Sequence, residues 1–149
     1  MQQNSDFVDL IRAFNDHRVE YLIVGAHALA AHGHIRATKD LDVWVHTTPE
    51  NATRVVRALA EFGAPLDDVT EADFSTPGIV FQIGVEPVRI DILTAPDGID
   101  FQDAWADRVK TTFGVEPTQV LSKRALIQNK RAAGRTQDLA DIEAIDSKS

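Results

Sequence analysis

The chain has 149 residues, 44% of them hydrophobic and 26% charged, which is the composition of a folded domain rather than of a disordered or low-complexity segment. It contains no cysteine, so a disulfide scaffold, a thiolate zinc site and a cysteine nucleophile are excluded. The net charge of −8 weighs against a broad non-specific nucleic-acid surface, which is usually basic. Residues 50–108 hold twelve acids and four bases and so carry all of that charge, whereas 121–135 hold five bases and no acid. That basic stretch reads either as a solvated helix face or as an anion-binding one. The opening MQQNSDFVDL lacks a basic region followed by an apolar run, and no apolar stretch approaches the ~18–20 residues of a membrane span. A cytoplasmic protein without membrane contact is therefore expected. The length predicts roughly one domain over 1–149, at ~100–200 residues per domain.

Phe7, Leu10, Ile11 and Phe14 recur at helical spacing and predict a helix over 5–17, capped by Asn4 or Ser5. EYLIV at 20–24 reads as a buried strand that Gly25 ends. A short helix over 26–32 follows and stops at Gly33. DLDVWVH at 40–46 alternates, with Leu41, Val43 and Val45 on one face and Asp40, Asp42, Trp44 and His46 on the other. Pro49 opens a helix that runs to Gly63, with Thr48 as its cap. Residues 64–77 read as irregular. Strands at 78–84 and 87–94, separated by Val85 and Glu86, predict a hairpin. A short helix over 101–109 and one final short strand in TTFGV and Pro117 follow. Helices over 122–133 and 136–146 break at Gly134. The expected class is α+β: a small mixed β-sheet packed with helices and ending in C-terminal helices. Two consecutive strands in the middle argue against a purely parallel, doubly wound sheet.

Asp40 and Asp42 project from one strand face, and adjacent carboxylates repel unless a cation neutralises them. Oxygen ligands suit Mg²⁺, which takes one or two carboxylates together with substrate phosphates. The alternative is an exposed strand of alternating polarity. Asp91 lies in the apolar run VRIDIL and needs a partner. Arg89, on the same face, is one candidate. The other is a place beside Asp40 and Asp42 as a third carboxylate, so that the three hold two Mg²⁺ ions (or Mn²⁺) ~3.5–4 Å apart. Gly25 and Ala26, between a strand and a helix, read either as plain punctuation or as a phosphate-binding turn beneath unpaired backbone N–H groups. Arg36 and Lys39 either neutralise the two acids or reach substrate phosphates. Trp44 stacks on a base or packs at the cleft rim, and His27, His32 and His34 read as a polar helix face. Lys123, Lys130, Arg124, Arg131 and Arg135 form a basic rim, with an ion pair expected between Lys130 or Arg135 and Asp138.

The run VGAHALAAHGHIRATKDLDVWV at 24–45 resembles the signature of the DNA polymerase β-like nucleotidyltransferase superfamily, and more closely the small bacterial members related to the AbiEii/AbiGii toxins. The likeness continues through PENATRVVRALAEFG, QIGVEPVRIDILT and KRAAGRTQDLADIEAI. It implies a nucleotidyltransferase-like sheet, with a core at about 18–95 and a C-terminal helical part at about 121–147. By position, Gly25 and Ala26 match the phosphate-binding turn, although Ala26 stands where glycine or serine is usual. Asp40 and Asp42 match the metal-binding pair. Asp91 matches the third carboxylate, which helps to activate the attacking hydroxyl. Lys130, Asp138 and Asp141 match the later lysine and DxxD elements. The implied activity is transfer of a nucleoside monophosphate from an NTP to a hydroxyl acceptor on RNA, protein or a small molecule. A toxin–antitoxin role with a cognate antitoxin is also implied. The alternatives are a catalytically degenerate nucleotide- or partner-binding module of the same fold and, more remotely, a metal-dependent phosphodiesterase.

Overall fold

The computed structural model describes residues 5–35, 39–67, 69–84, 89–95 and 98–146. Asn4, Arg36, Val85 and Glu86 lie outside them. In chain order the elements are α1 (Ser5–Asp16), β1 (Tyr21–Val24), α2 (Gly25–Ala31), β2 (Asp40–Val45), α3 (Pro49–Phe62) and α4 (Glu71–Phe74). They continue with β3 (Val80–Ile83), β4 (Arg89–Leu93), α5 (Phe101–Ala106), β5 (Val109–Phe113), β6 (Glu116–Val120), α6 (Lys123–Ala133) and α7 (Thr136–Asp146). The strands form one six-stranded sheet in the order β3-β4-β2-β1-β6-β5. β1 runs antiparallel to β2 and parallel to β6, β2 runs parallel to β4, and β3 and β5 pair antiparallel on the outside. The sheet is mixed, as the two consecutive strands require.

Strand alternation divides the core in two. On one face Tyr21, Ile23, Leu41, Val43, Val45, Ile90 and Ile92 pack against Phe7, Leu10, Ile11 and Phe14 of α1 and Val55 and Leu59 of α3. On the other face Leu22, Val24 and Trp44 pack against Leu29 of α2, Phe101 of α5, Leu126 of α6 and Ile145 of α7. Thr48 caps α3 by accepting from the Asn51 N–H at 3.2 Å, and Gly63 closes the helix in the left-handed region. The buried Asn51 side chain also ties the strand ends together. Its Oδ1 accepts from the Glu20 N–H, and its Nδ2 donates to the carbonyls of Glu20 and His46.

Three elements depart from expectation. Residues 71–74 form one helical turn, closed by a capping box between Thr70 and Asp73. The helix expected over 101–109 ends at Ala106, and Val109 belongs to a strand. The single final strand is a hairpin, β5 and β6, turned at Gly114 with φ +61°. Most of β5 is exposed, so it carries no apolar alternation that would reveal it.

Candidate active site

β1 delivers the chain to the turn at Gly25, and the antiparallel register sets Val24 opposite Asp42. Gly25 has φ +68°, and a Cβ there would collide with the Asp42 carboxylate. Glycine is thus required twice, by backbone conformation and by close approach. α2 begins at this residue. Its cap position, Val24, offers no side-chain acceptor to the first N–H groups of the helix. Ala26 is buried within α2 and has ordinary helical geometry, so its departure from glycine costs nothing in backbone conformation.

Across the parallel β2–β4 ladder Asp42 stands opposite Asp91, and Asp40 opposite Arg89. The same-face spacing therefore does bring Asp40, Asp42 and Asp91 to one end of the sheet, beside Gly25. Asp91 is only 8% exposed. Asp42 is pushed up to about 6, first by burial, then by the charges of Asp91 and Asp40 and a hydrogen bond with Asp91, while Arg89 acts in the opposite direction. Arg89 also pairs with the acids. Its Nε lies 3.1 Å from Asp91 Oδ1, and its Nη2 lies 3.4 Å from both Asp40 Oδ2 and Asp91 Oδ2. Both partners proposed for Asp91 are thus present together.

Three carboxylates, one of them raised to about 6 by burial and by the charges of its neighbours, form a donor set that suits a hard divalent ion. Among the described residues, however, no three acidic or histidine side chains stand in a ready-made ion-binding arrangement. The guanidinium of Arg89 supplies the positive charge instead. The chemistry fits Mg²⁺, provided that Arg89 shifts.

Lys39 is exposed next to Asp40, and its carbonyl accepts from the Arg89 N–H at 3.2 Å. Arg36 lies outside the described residues. Trp44 shares the carboxylate face but is buried edge-on against Phe101, with ring centroids 5.0 Å apart, so it is core. Lys130 is buried as well. Its Nζ sits 3.2 Å from Asp138 Oδ1 and 3.2 Å from Asp141 Oδ2, so it serves as counter-ion to two buried acids. Arg135 adds a second pairing to Asp138, and His34 Nε2 lies 3.5 Å from Asp141. The expected ion pair to Asp138 is therefore made by both bases.

The three histidines do not form one polar face. His27 lies between the rings of Phe7 and Phe113, with centroids 5.6 and 5.2 Å away, and hydrogen-bonds with the backbone of Asp40. Burial lowers its proton affinity. His32 reaches the Leu121 carbonyl instead. Only contacts distant in sequence distinguish these roles, so no local signal marks His27.

Several solved structures share this architecture. The chain superposes on the lincosamide antibiotic adenylyltransferase LnuA, solved with lincomycin bound, at TM-score 0.61 and 15% identity over 98% of each chain. It matches TM1012 from Thermotoga maritima, assigned as a nucleotidyltransferase, at TM-score 0.61 and 13% identity over 99% of this chain and 97% of the other. An antigenic nucleotidyltransferase-like protein from Paracoccidioides brasiliensis matches at 0.57 and 16%, over 94% and 74%. The fold is nucleotidyltransferase-like. No protein-family model and no curated protein sequence matches the chain. At these identities the likeness concerns architecture, and the chemistry has to be argued from the residues at the end of the sheet.

Proposed function

We propose that the protein is a metal-dependent nucleotidyltransferase that moves a nucleoside monophosphate from an NTP to a hydroxyl acceptor. The observation that carries this reading is the meeting of Asp40, Asp42 and Asp91 beside the glycine turn. In the reaction the acceptor oxygen bonds to the α-phosphorus, the bond from that phosphorus to the β-phosphate oxygen breaks, and pyrophosphate leaves. Divalent ions, when bound, neutralise charge on the triphosphate and on the carboxylates. Asp40 and Asp42 would hold them. Asp91, the most buried of the three acids, would join them and take the acceptor's proton. The backbone N–H groups at Gly25 and Ala26 would receive phosphate oxygens, with the exposed Lys39 beside Asp40 as a further cation for them. Lys130 would hold the C-terminal helices together. The barrier would fall through positioning and charge neutralisation, without a covalent intermediate.

One structural neighbour is an adenylyltransferase with lincomycin bound, which supports a small-molecule hydroxyl as one acceptor class, alongside RNA and protein. A toxin–antitoxin setting rests on the sequence resemblance alone, at 24–45 and through 49–63, 82–94 and 130–145. The test is incubation with each labelled NTP, Mg²⁺ and total RNA or cell lysate. Label should enter an acceptor with the native protein and not with Asp91→Asn. No incorporation from any NTP would refute transfer. One observation favours a second reading, a nucleotide-binding module without transfer: Arg89 engages two of the three acids. Saturable nucleotide binding without incorporation would establish it.

A further inference from the structure

We infer that Arg89 is a displaceable internal counter-cation that makes the carboxylate cluster accept a divalent ion together with a triphosphate and resist the free ion. The inference rests on the reading of Asp40, Asp42 and Asp91 as a metal–nucleotide site. Arg89 bridges two of these acids with one fork, at 3.1 and 3.4 Å to Asp91 and 3.4 Å to Asp40. A guanidinium cannot lose its charge by deprotonation in a protein, so the positive charge leaves the cluster only if the side chain moves. The backbone that carries it is fixed in the sheet. Arg89 is a strand residue directly opposite Asp40, and its N–H is bonded to the Lys39 carbonyl.

An ion that enters alone must therefore pull Asp40 and Asp91 away from Arg89 and then sit beside the displaced cation. Both steps oppose binding. A triphosphate reverses the balance. It brings negative charge and oxygen acceptors that match the planar fork, so the released guanidinium gains a new partner within reach of its anchored stem. The Arg89 side chain is about one quarter exposed, so an anion can approach it from solvent. Arg89 thus acts as a positioning and selectivity residue. It neutralises Asp40 and Asp91 by direct contact and couples loading of ion and nucleotide.

The experiment compares the native protein with Arg89→Gln, Arg89→Lys and Asp42→Asn. Mn²⁺ affinity is read from the loss of the free-ion EPR signal, and coupling from melts with Mg²⁺, with tripolyphosphate and with both. Tripolyphosphate is used because it needs no base preference. Arg89→Gln should bind Mn²⁺ at least tenfold more tightly than the native protein. Its combined melting shift should fall to the sum of the separate shifts, whereas the native shift exceeds that sum. Arg89→Lys, whose compact ammonium reaches one acid at a time, should bind Mn²⁺ several-fold more tightly and carries the test if the glutamine variant does not fold. Mn²⁺ affinity in these variants equal to or below the native value would overturn the role of Arg89 and leave the metal site standing. No Mn²⁺ binding in any variant, or binding unchanged by Asp42→Asn, would overturn the metal–nucleotide reading itself and this inference with it.

Discussion

A methyl group at position 25 would collide with the Asp42 carboxylate on a backbone that L side chains rarely adopt. Gly25→Ala should therefore cost roughly 1–3 kcal/mol in urea denaturation, through the positive φ and the displaced carboxylate. Alanine at position 26 carries no such penalty, since it lies within α2 on ordinary helical geometry. Asp42 gives a second prediction at this scale. Its folded proton affinity, about 6, lies above the ordinary value of 3.8, so between those values the native state binds more protons than the unfolded one. The sign follows: this group's contribution falls as pH rises through that window and is lowest above it. Metal-free native protein should gain on the order of 1–3 kcal/mol from Asp42 between pH 7 and pH 4. Asp42→Asn should lack that gain and be the more stable protein at pH 7. Equal pH slopes for the two proteins in chemical denaturation would show that Asp42 is not strained by its neighbours.

The last two helices are held by charge as well as by apolar contact. Lys130, Asp138 and Asp141 are all buried at the α6–α7 junction, with Arg135 closing over Asp138. Removal of one member of such a group leaves an uncompensated buried charge. Lys130→Met should therefore cost about 3–5 kcal/mol by thermal or chemical denaturation. Replacement of Lys130, Asp138 and Asp141 together by apolar residues of similar volume should recover most of that loss. The single variant should retain Mn²⁺ binding if Lys130 is only a counter-ion of the helices, and lose it if the junction also shapes the cluster. The sequence spacing already paired Lys130 and Arg135 with Asp138, because helix-to-helix spacing is a local property. Asp141, His34 and the His27–Asp40 contact join parts of the chain far apart, and no local period records them.

The same distinction runs through the whole molecule. Alternation in DLDVWV put both acids of β2 on one face, and the isolated acid in VRIDIL marked Asp91; the parallel register then makes Asp42 and Asp91 direct neighbours. The strand expected in TTFGV overlaps β5, but its division at Gly114 into β5 and β6 left no mark, because an exposed edge strand buries too little to impose a pattern. Trp44 was legible as a residue on the carboxylate face but not as core, because Phe101, which covers it, comes 57 positions later. Arg89 was legible as a partner of Asp91 and not as a bridge to Asp40, since only strand pairing brings positions 40 and 89 together. At that end the sheet assembles Asp40, Asp42 and Asp91, which we propose bind ion and triphosphate jointly. The most direct measurement is anomalous diffraction from crystals grown with Mn²⁺ and a non-hydrolysable NTP. Manganese peaks are expected between Asp42 and Asp91 and beside Asp40, with the Arg89 guanidinium moved from Asp91 onto the phosphates. Crystals with nucleotide bound elsewhere, no manganese at the three acids and Arg89 still bridging Asp40 and Asp91 would contradict this joint binding.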